Sequence, residues 1–286
     1  MRFINTFILS TFILFLTAFV WKTSTLNALE LTYNMFEKTK KIKGLEYVMK
    51  KTERINGVLT ESYSYTKLIR DPFKIYFKRG RPEEAVLEAL YIEGQHDNKA
   101  VINPNGFPWF NLYLSPMGST MRHNQHHTLF DSGYDMLVSI LEHLIKKYNQ
   151  NVHSMITVSN AEKVNGFDCF KLVLDNPHFK YIEYVVKPNE NITDIANKFK
   201  LSDYMILQKN IELDDYIDVV AGQKLIIPND YAPKLEIYID KNKMLPILFK
   251  VYDDQGLFEQ YEYQNLIIDP AFEEDEFSTT YNEYGF

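Results

Sequence analysis

The sequence predicts an α+β fold built on one large antiparallel sheet with a few covering helices. Three observations carry this expectation. Aromatic residues make up 15% of the chain, with 20 Tyr and 20 Phe, a bias that suits half-buried pleated surfaces. Short extended runs follow one another with turn signals between them. Helical spacing is confined to a few segments. With 45% hydrophobic and 24% charged residues, and only 11 Gly and 11 Pro in 286 residues, the chain is globular, and collagen-like and low-complexity classes are excluded.

The N-terminal segment stands apart. Met1-Arg2 gives a positive start, residues 3–20 are mostly Phe, Ile, Leu, Thr and Ala, and small or polar residues follow up to Ala28. That order predicts an export signal over residues 1–28, cleaved after Ala28, and an exported protein of the periplasm or cell envelope. The alternative is an uncleaved anchor, because the apolar run of about 18 residues approaches spanning length. Removing Arg2 and Lys22 leaves 29 basic against 38 acidic residues. This balance argues against nucleic acid and anionic membrane surfaces as partners.

From there the elements follow in order. Residues 31–42 form a first helix, with Leu31, Met35, Phe36 and Ile42 on one face. Extended runs at 45–55, 62–69, 73–78, 85–93 and 99–103 are separated by Asn56-Gly57, Asp71-Pro72, Gly80-Arg81-Pro82 and His96-Asp97-Asn98, and predict an antiparallel meander. Within it Phe73, Ile75 and Phe77 alternate with Lys74, Tyr76 and Lys78, so one face is expected to be covered and the other wet. Leu137, Ile140, Leu141, Leu144, Ile145 and Tyr148 make the clearest helical stripe. Strands resume at 154–159 and 167–174, and three more are expected at 234–239, 245–252 and 257–266.

Between Leu174 and Lys234 the pattern changes to strand, helix, helix, strand. Tyr184-Val185-Val186-Lys187-Pro188 is extended, Ile192, Ile195, Ala196 and Phe199 have helical spacing, residues 202–209 form a second helix, and Gly222-Gln223-Lys224-Leu225-Ile226-Ile227-Pro228 closes the segment. Asn191 with Asp194 resembles a capping box, and Ser202 is placed to cap the second helix. These residues, with Asn210 and the Ile195-Ala196 pair, resemble a LysM module over residues 180–231. LysM modules bind, without catalysis, glycans that contain N-acetylglucosamine, such as peptidoglycan or chitin. The resemblance implies a shallow groove with Asn189, Glu190, Asn191 and Ile192 on one side and Asn210 and Ile211 on the other. The usual Gly-Asp-Thr or Gly-Asp-Ser is replaced by Asn189-Glu190-Asn191, which puts Asn where a Gly of positive φ is expected.

The flanks, residues 29–179 and 232–286, are expected to form one discontinuous sheet domain interrupted by the module, so that the strands before and after it are neighbours. Asp71-Pro72-Phe73-Lys74-Ile75-Tyr76, Leu90-Tyr91-Ile92-Glu93-Gly94, Ser115-Pro116-Met117-Gly118 with Arg122-His123, and Leu245-Pro246 resemble an uncharacterised exported family related to LolA. That resemblance implies a curved antiparallel sheet, a half-barrel covered by helices, around an apolar cavity that takes a lipid or a lipoprotein acyl chain.

Chemistry beyond binding is not expected. His123, His126 and His127 lack the spacing of a zinc site and no glutamate lies between them, so a solvated or hydrogen-bonded polar loop is the reading, with no metal. Asp253-Asp254 and Glu273-Glu274-Asp275-Glu276 are read as solvated turns. Cys169, the only cysteine, is read as a small buried hydrophobe. No nucleophile elbow, phosphate loop or dinucleotide fingerprint occurs, so neither an enzyme nor a cofactor is expected. The prediction is therefore a non-catalytic envelope protein that binds peptidoglycan or a related glycan. A LysM-targeted cell-wall hydrolase with an unrecognised active site is the alternative.

Overall fold

The computed structural model describes residues 27–80, 87–161 and 163–286. Most of the expected signal segment lies outside the described residues. Asn27 and Ala28 do not: helix α1 spans Ala28–Lys40, and the Asn27 side chain caps it by accepting from the Leu29 and Glu30 amides. The first helix therefore starts three residues before the expected one, because a cap residue sits just upstream of the apolar stripe.

Strands β1 (Gly44–Ile55), β2 (Val58–Arg70), β3 (Phe73–Arg79), β4 (Leu87–Ile92), β5 (Ala100–Asn103) and β6 (Leu112–Leu114) form the expected meander, with β6 added to it. The short helix α2 (Ser119–Arg122), helix α3 (Asp135–Tyr148) and strands β7 (Ile156–Asn160) and β8 (Cys169–Asp175) follow. After the module, β11 (Lys234–Asp240), β12 (Pro246–Asp253) and β13 (Gly256–Ile268) complete an 11-stranded sheet in the order β6-β5-β4-β3-β2-β1-β13-β12-β11-β8-β7. Neighbours pair antiparallel throughout, and β6 and β7 are its two edges, so the sheet is open. Asn56 and Gly57, with φ of 49° and 82°, turn β1 into β2, as a two-residue hairpin of that type requires.

Helices α1 and α3 cover one face. Met35, Leu141 and Leu144 share a single apolar core with Ile102 on β5 and Leu172 on β8, so strands near both edges reach the same helices and the sheet wraps them. The opposite face is not wet where alternation predicted it. Tyr76 is 1% exposed, because residues 270–286 cross that face and stack Tyr284 on its ring, centroids 3.6 Å apart. Glu276 in the same segment is buried and bonds Lys67 Nζ at 2.6 Å, which corrects the expectation of a solvated turn. Asp253 is likewise buried, paired with Arg54.

The module consists of β9 (Tyr181–Val185), α4 (Ile192–Phe199), α5 (Asp203–Lys209) and β10 (Lys224–Pro228), with β9 and β10 antiparallel. Val186, Ile192, Ile195, Ile206 and Leu225 form its own core. It leaves β8 and returns in β11, and these two strands pair directly, Asp175 opposite Lys234 and Leu174 opposite Leu235. A module whose ends lie together takes the place of a hairpin turn without parting its host strands. Yet it is not loosely hung, since Tyr204, Met205 and Tyr231 belong to the host core.

Candidate glycan-binding module and the buried clasp beside it

The first loop of the module is fixed by its own side chains. Asn189 takes φ 63°, the conformation for which Asn stands in for Gly. Glu190 accepts from Tyr184 Oη at 2.7 Å, from the Lys187 amide at 3.0 Å and from Lys198 Nζ at 3.0 Å. The Tyr184 hydrogen bond is the largest of the effects that hold its carboxyl down at about 2. Asn191 accepts from the Asp194 amide while Asp194 accepts from the Asn191 amide, a complete capping box that aims the start of α4. Ile192 is fully buried in the module core.

The second loop divides in the same way. Asn210 is buried; its amide donates to the Ile206 and Ile226 carbonyls at 2.7 and 2.9 Å and accepts from the Ile226 amide at 2.8 Å. Ile211 beside it is 91% exposed. Of the six residues expected to line the groove, Ile192 and Asn210 thus face inward and build the loops, whereas Asn189 and Ile211 are open to solvent. The two loops meet where the Ile192 amide donates to the Tyr216 carbonyl at 2.9 Å. That contact brings the exposed Ile217 beside the first loop, with Val220 following it. Both were missed in the sequence, although apolar residues in an acidic loop that cannot join the module core are a legible signal.

The host grips the module from the other side. Buried Arg122 donates to Thr193 Oγ1 at 2.9 Å and to Asp203, and its guanidinium lies on the Tyr216 ring. Lys209 on α5 pairs with Asp254 at 2.8 Å, and Tyr204 Oη accepts from the Asn56 amide at 3.1 Å.

Adjacent to this contact, the two histidines after His123 are hydrogen-bonded, as one of the two expected readings had it, but within a buried charge cluster. His126 Nδ1 faces Glu259 Oε2 at 2.8 Å and its Nε2 faces the Arg54 carbonyl at 3.2 Å. His127 Nε2 reaches Glu259 Oε2 at 3.0 Å, and Tyr231 Oη donates to Glu259 Oε1 at 2.7 Å. Burial by itself lowers the His127 pKa, but the Glu259 charge and hydrogen bond outweigh it and lift the group to about 9. Burial by itself raises the Glu259 pKa, and His127 and His126 together hold it well below the carboxylate range. Glu53, which Tyr261 Oη also bonds, is lowered for the same reason, with Lys51 ahead of the histidines. Among the described residues no group of His, Cys, Asp and Glu is arranged to hold a metal ion. Cys169 is buried, and burial raises its thiol.

Beneath the connection that carries the histidines lies a cavity of about 100 Å³, whose lining includes Tyr47, Met49, Phe77, Met136, Phe249 and Tyr261 together with Lys51, Glu53 and His127. No helix among the described residues is long and apolar enough to cross a membrane.

An open antiparallel sheet that gives up one hairpin turn to a βααβ insert defines a sheet protein carrying a LysM domain, and the LysM family model matches residues 184–228. The chain belongs to the DUF1571 family, described as a protein of unknown function, whose model matches residues 42–195. No curated protein matches the sequence. Among solved structures, a DUF1329 family protein from Desulfovibrio piger is similar at 12% identity and TM-score 0.32, over 88% of this chain and 96% of that one. Lipoprotein LppX of Mycobacterium tuberculosis is similar at 11% identity and TM-score 0.38, over 86% and 97%. A LolA superfamily protein from Nitrosomonas europaea is similar at 9% identity and TM-score 0.32, over 89% and 98%.

Proposed function

We propose that the chain is a non-catalytic binding protein of the cell envelope, in which the LysM module holds a glycan containing N-acetylglucosamine, peptidoglycan being the main candidate. The observation that carries this reading is the LysM match at residues 184–228 together with two loops whose buried members, Ile192 and Asn210, fix the backbone while Asn189, Ile211 and Ile217 stay exposed. Such a surface offers amide groups for sugar hydroxyls and acetamides, and apolar side chains for the sugar face and acetyl methyl. Glu190 serves as the brace of the first loop and Asn191 as its cap. The Arg122 grip gives the groove one orientation on the host.

The charge cluster lends the hydrolase alternative no support, since Glu53 and Glu259 are engaged by Tyr261, Tyr231 and the two histidines. An apolar ligand in the host is the finer part of the proposal. The cavity of about 100 Å³ is smaller than ligand pockets of roughly 300–1,000 Å³, so an acyl chain enters only if the connection over it, clasped by His126 and His127, moves away. Retention on insoluble peptidoglycan tests the glycan reading, with Ile211→Ser and Ile217→Ser variants as the control, since both side chains are exposed and their loss leaves the fold intact.

A further inference from the structure

The connection between β5 and β6 carries apolar rings that the fold leaves in water. Phe107 is 85% exposed, Trp109 81% and Phe110 63%, and Tyr113 on edge strand β6 is 53% exposed. This is a built turn: the Trp109 amide donates to the Gly106 carbonyl at 2.7 Å, and Asn103 and Asn105 bond each other at 3.0 Å. Trp109 itself holds φ 65°, a conformation that costs a bulky side chain energy. Three large rings in adjacent positions on a fixed turn form the kind of patch that marks an interaction surface.

Charge identifies the partner. No Asp or Glu occurs between Asp97 and Asp131 in a chain that has 38 of them. Residues 104–111 carry no charged side chain at all; Arg122 is buried against Asp203, His127 is paired with Glu259, and the exposed Lys99 lies outside the turn, on the far side of β5. The turn is therefore neutral as well as aromatic. Charged side chains are what a bilayer penalises, and Trp, Tyr and Phe are what its interfacial zone selects. We infer that residues 104–111 insert Phe107, Trp109 and Phe110 shallowly into a phospholipid surface as a peripheral anchor. This goes beyond the glycan reading and is independent of it. The chain from Asn27 has 29 basic against 38 acidic residues, and this negative balance sets the lipid preference: zwitterionic headgroups are favoured over anionic ones, and attachment by apolar burial resists salt, which weakens only charge-driven binding. Beyond edge strand β6 the chain runs directly into Pro116 and Met121 at the cavity wall, so only one short strand separates the anchor from the cavity.

The chain has two tryptophans, Trp21 and Trp109, and protein starting at Asn27, which contains every described element, retains only Trp109. Its emission is expected to shift to shorter wavelength on adding phosphatidylcholine vesicles, in low and high salt alike, and to be quenched by lipids brominated near the headgroup. Phe107→Ser with Phe110→Ser should lower vesicle partitioning by about tenfold or more, as two rings are left in water, without altering the melting temperature. Unshifted emission at lipid excess, equal partitioning of the double variant, or binding seen only with anionic vesicles at low salt would each overturn the inference. So would a parent protein that self-associates through this turn and leaves vesicles unbound.

Discussion

The guanidinium carbon of Arg122 lies 3.2 Å from the centre of the Tyr216 ring, a contact by which the sheet domain holds the loop whose Tyr216 carbonyl accepts from the Ile192 amide. Because Arg122 also bonds Asp203 and Thr193, its removal leaves the largely buried Asp203 carboxylate with the Thr193 hydroxyl but without its counter-charge. Arg122→Ala is expected to destabilise the protein by about 3 kcal/mol in urea unfolding. Arg122→Lys should recover only part of this, since an ammonium keeps the charge but not the planar fork and stack. Equal stability of the alanine variant would show that the grip is dispensable.

The His127–Glu259 pair predicts a pH profile. His127 is raised to about 9, so its contribution is complete below the unfolded value of about 6.5 and is lost as pH rises through about 9, a change of roughly 3 kcal/mol. Glu259 is depressed, so its contribution is present above about 4.3 and fades as pH falls toward its folded value. The pair therefore stabilises most between these two limits. Denaturation midpoints across pH should decline on the alkaline side, and His127→Gln should flatten that decline.

Asn27 predicts where the folded unit begins. Its side chain and carbonyl serve the first amides of α1, so a chain starting at Leu29 should melt lower than one starting at Asn27, by about 1 kcal/mol from the lost cap. The new positive amino group at the helix start adds to the loss. Cleavage after Ala28, as the sequence predicts, would remove this cap, and N-terminal sequencing of the purified protein shows whether Asn27 is retained. A mature chain starting at Leu29 with undiminished stability would contradict this.

The C-terminal segment is predicted to be structural. Glu276→Ala leaves the Lys67 ammonium, 6% exposed as a residue, without its partner, and should cost about 3 kcal/mol. Truncation after Asp269 should expose Tyr76 and Leu90 and produce aggregation, measurable by light scattering.

Local patterns carried much of this architecture. The stripe from Leu137 to Tyr148, the turn Asn56-Gly57 and the capping box at Asn191 are encoded by near neighbours, and each element formed where that pattern placed it. What depends on distant partners was not legible. Glu259 meets His126 across 133 positions and Glu276 meets Lys67 across 209, and no local spacing distinguishes such residues from solvated ones. In the module, Asn210 looked like a groove residue by position, but its amide is consumed by the Ile206 and Ile226 backbone. Ile217 became visible as a candidate only when the Tyr216 carbonyl placed it beside the first loop. Strand β6, Leu112–Leu114, is three residues long, too short for alternation to register.

The central claim is that the module binds glycan through its exposed loop residues. Co-sedimentation of the full chain with insoluble peptidoglycan tests it most directly, run beside the Ile211→Ser, Ile217→Ser double variant and with soluble N-acetylglucosamine oligomers as competitor. The account predicts that the parent pellets, that the oligomers release it, and that the variant, folded to the same melting temperature, remains in the supernatant. Parent and variant pelleting equally, or neither pelleting at saturating peptidoglycan, would contradict it.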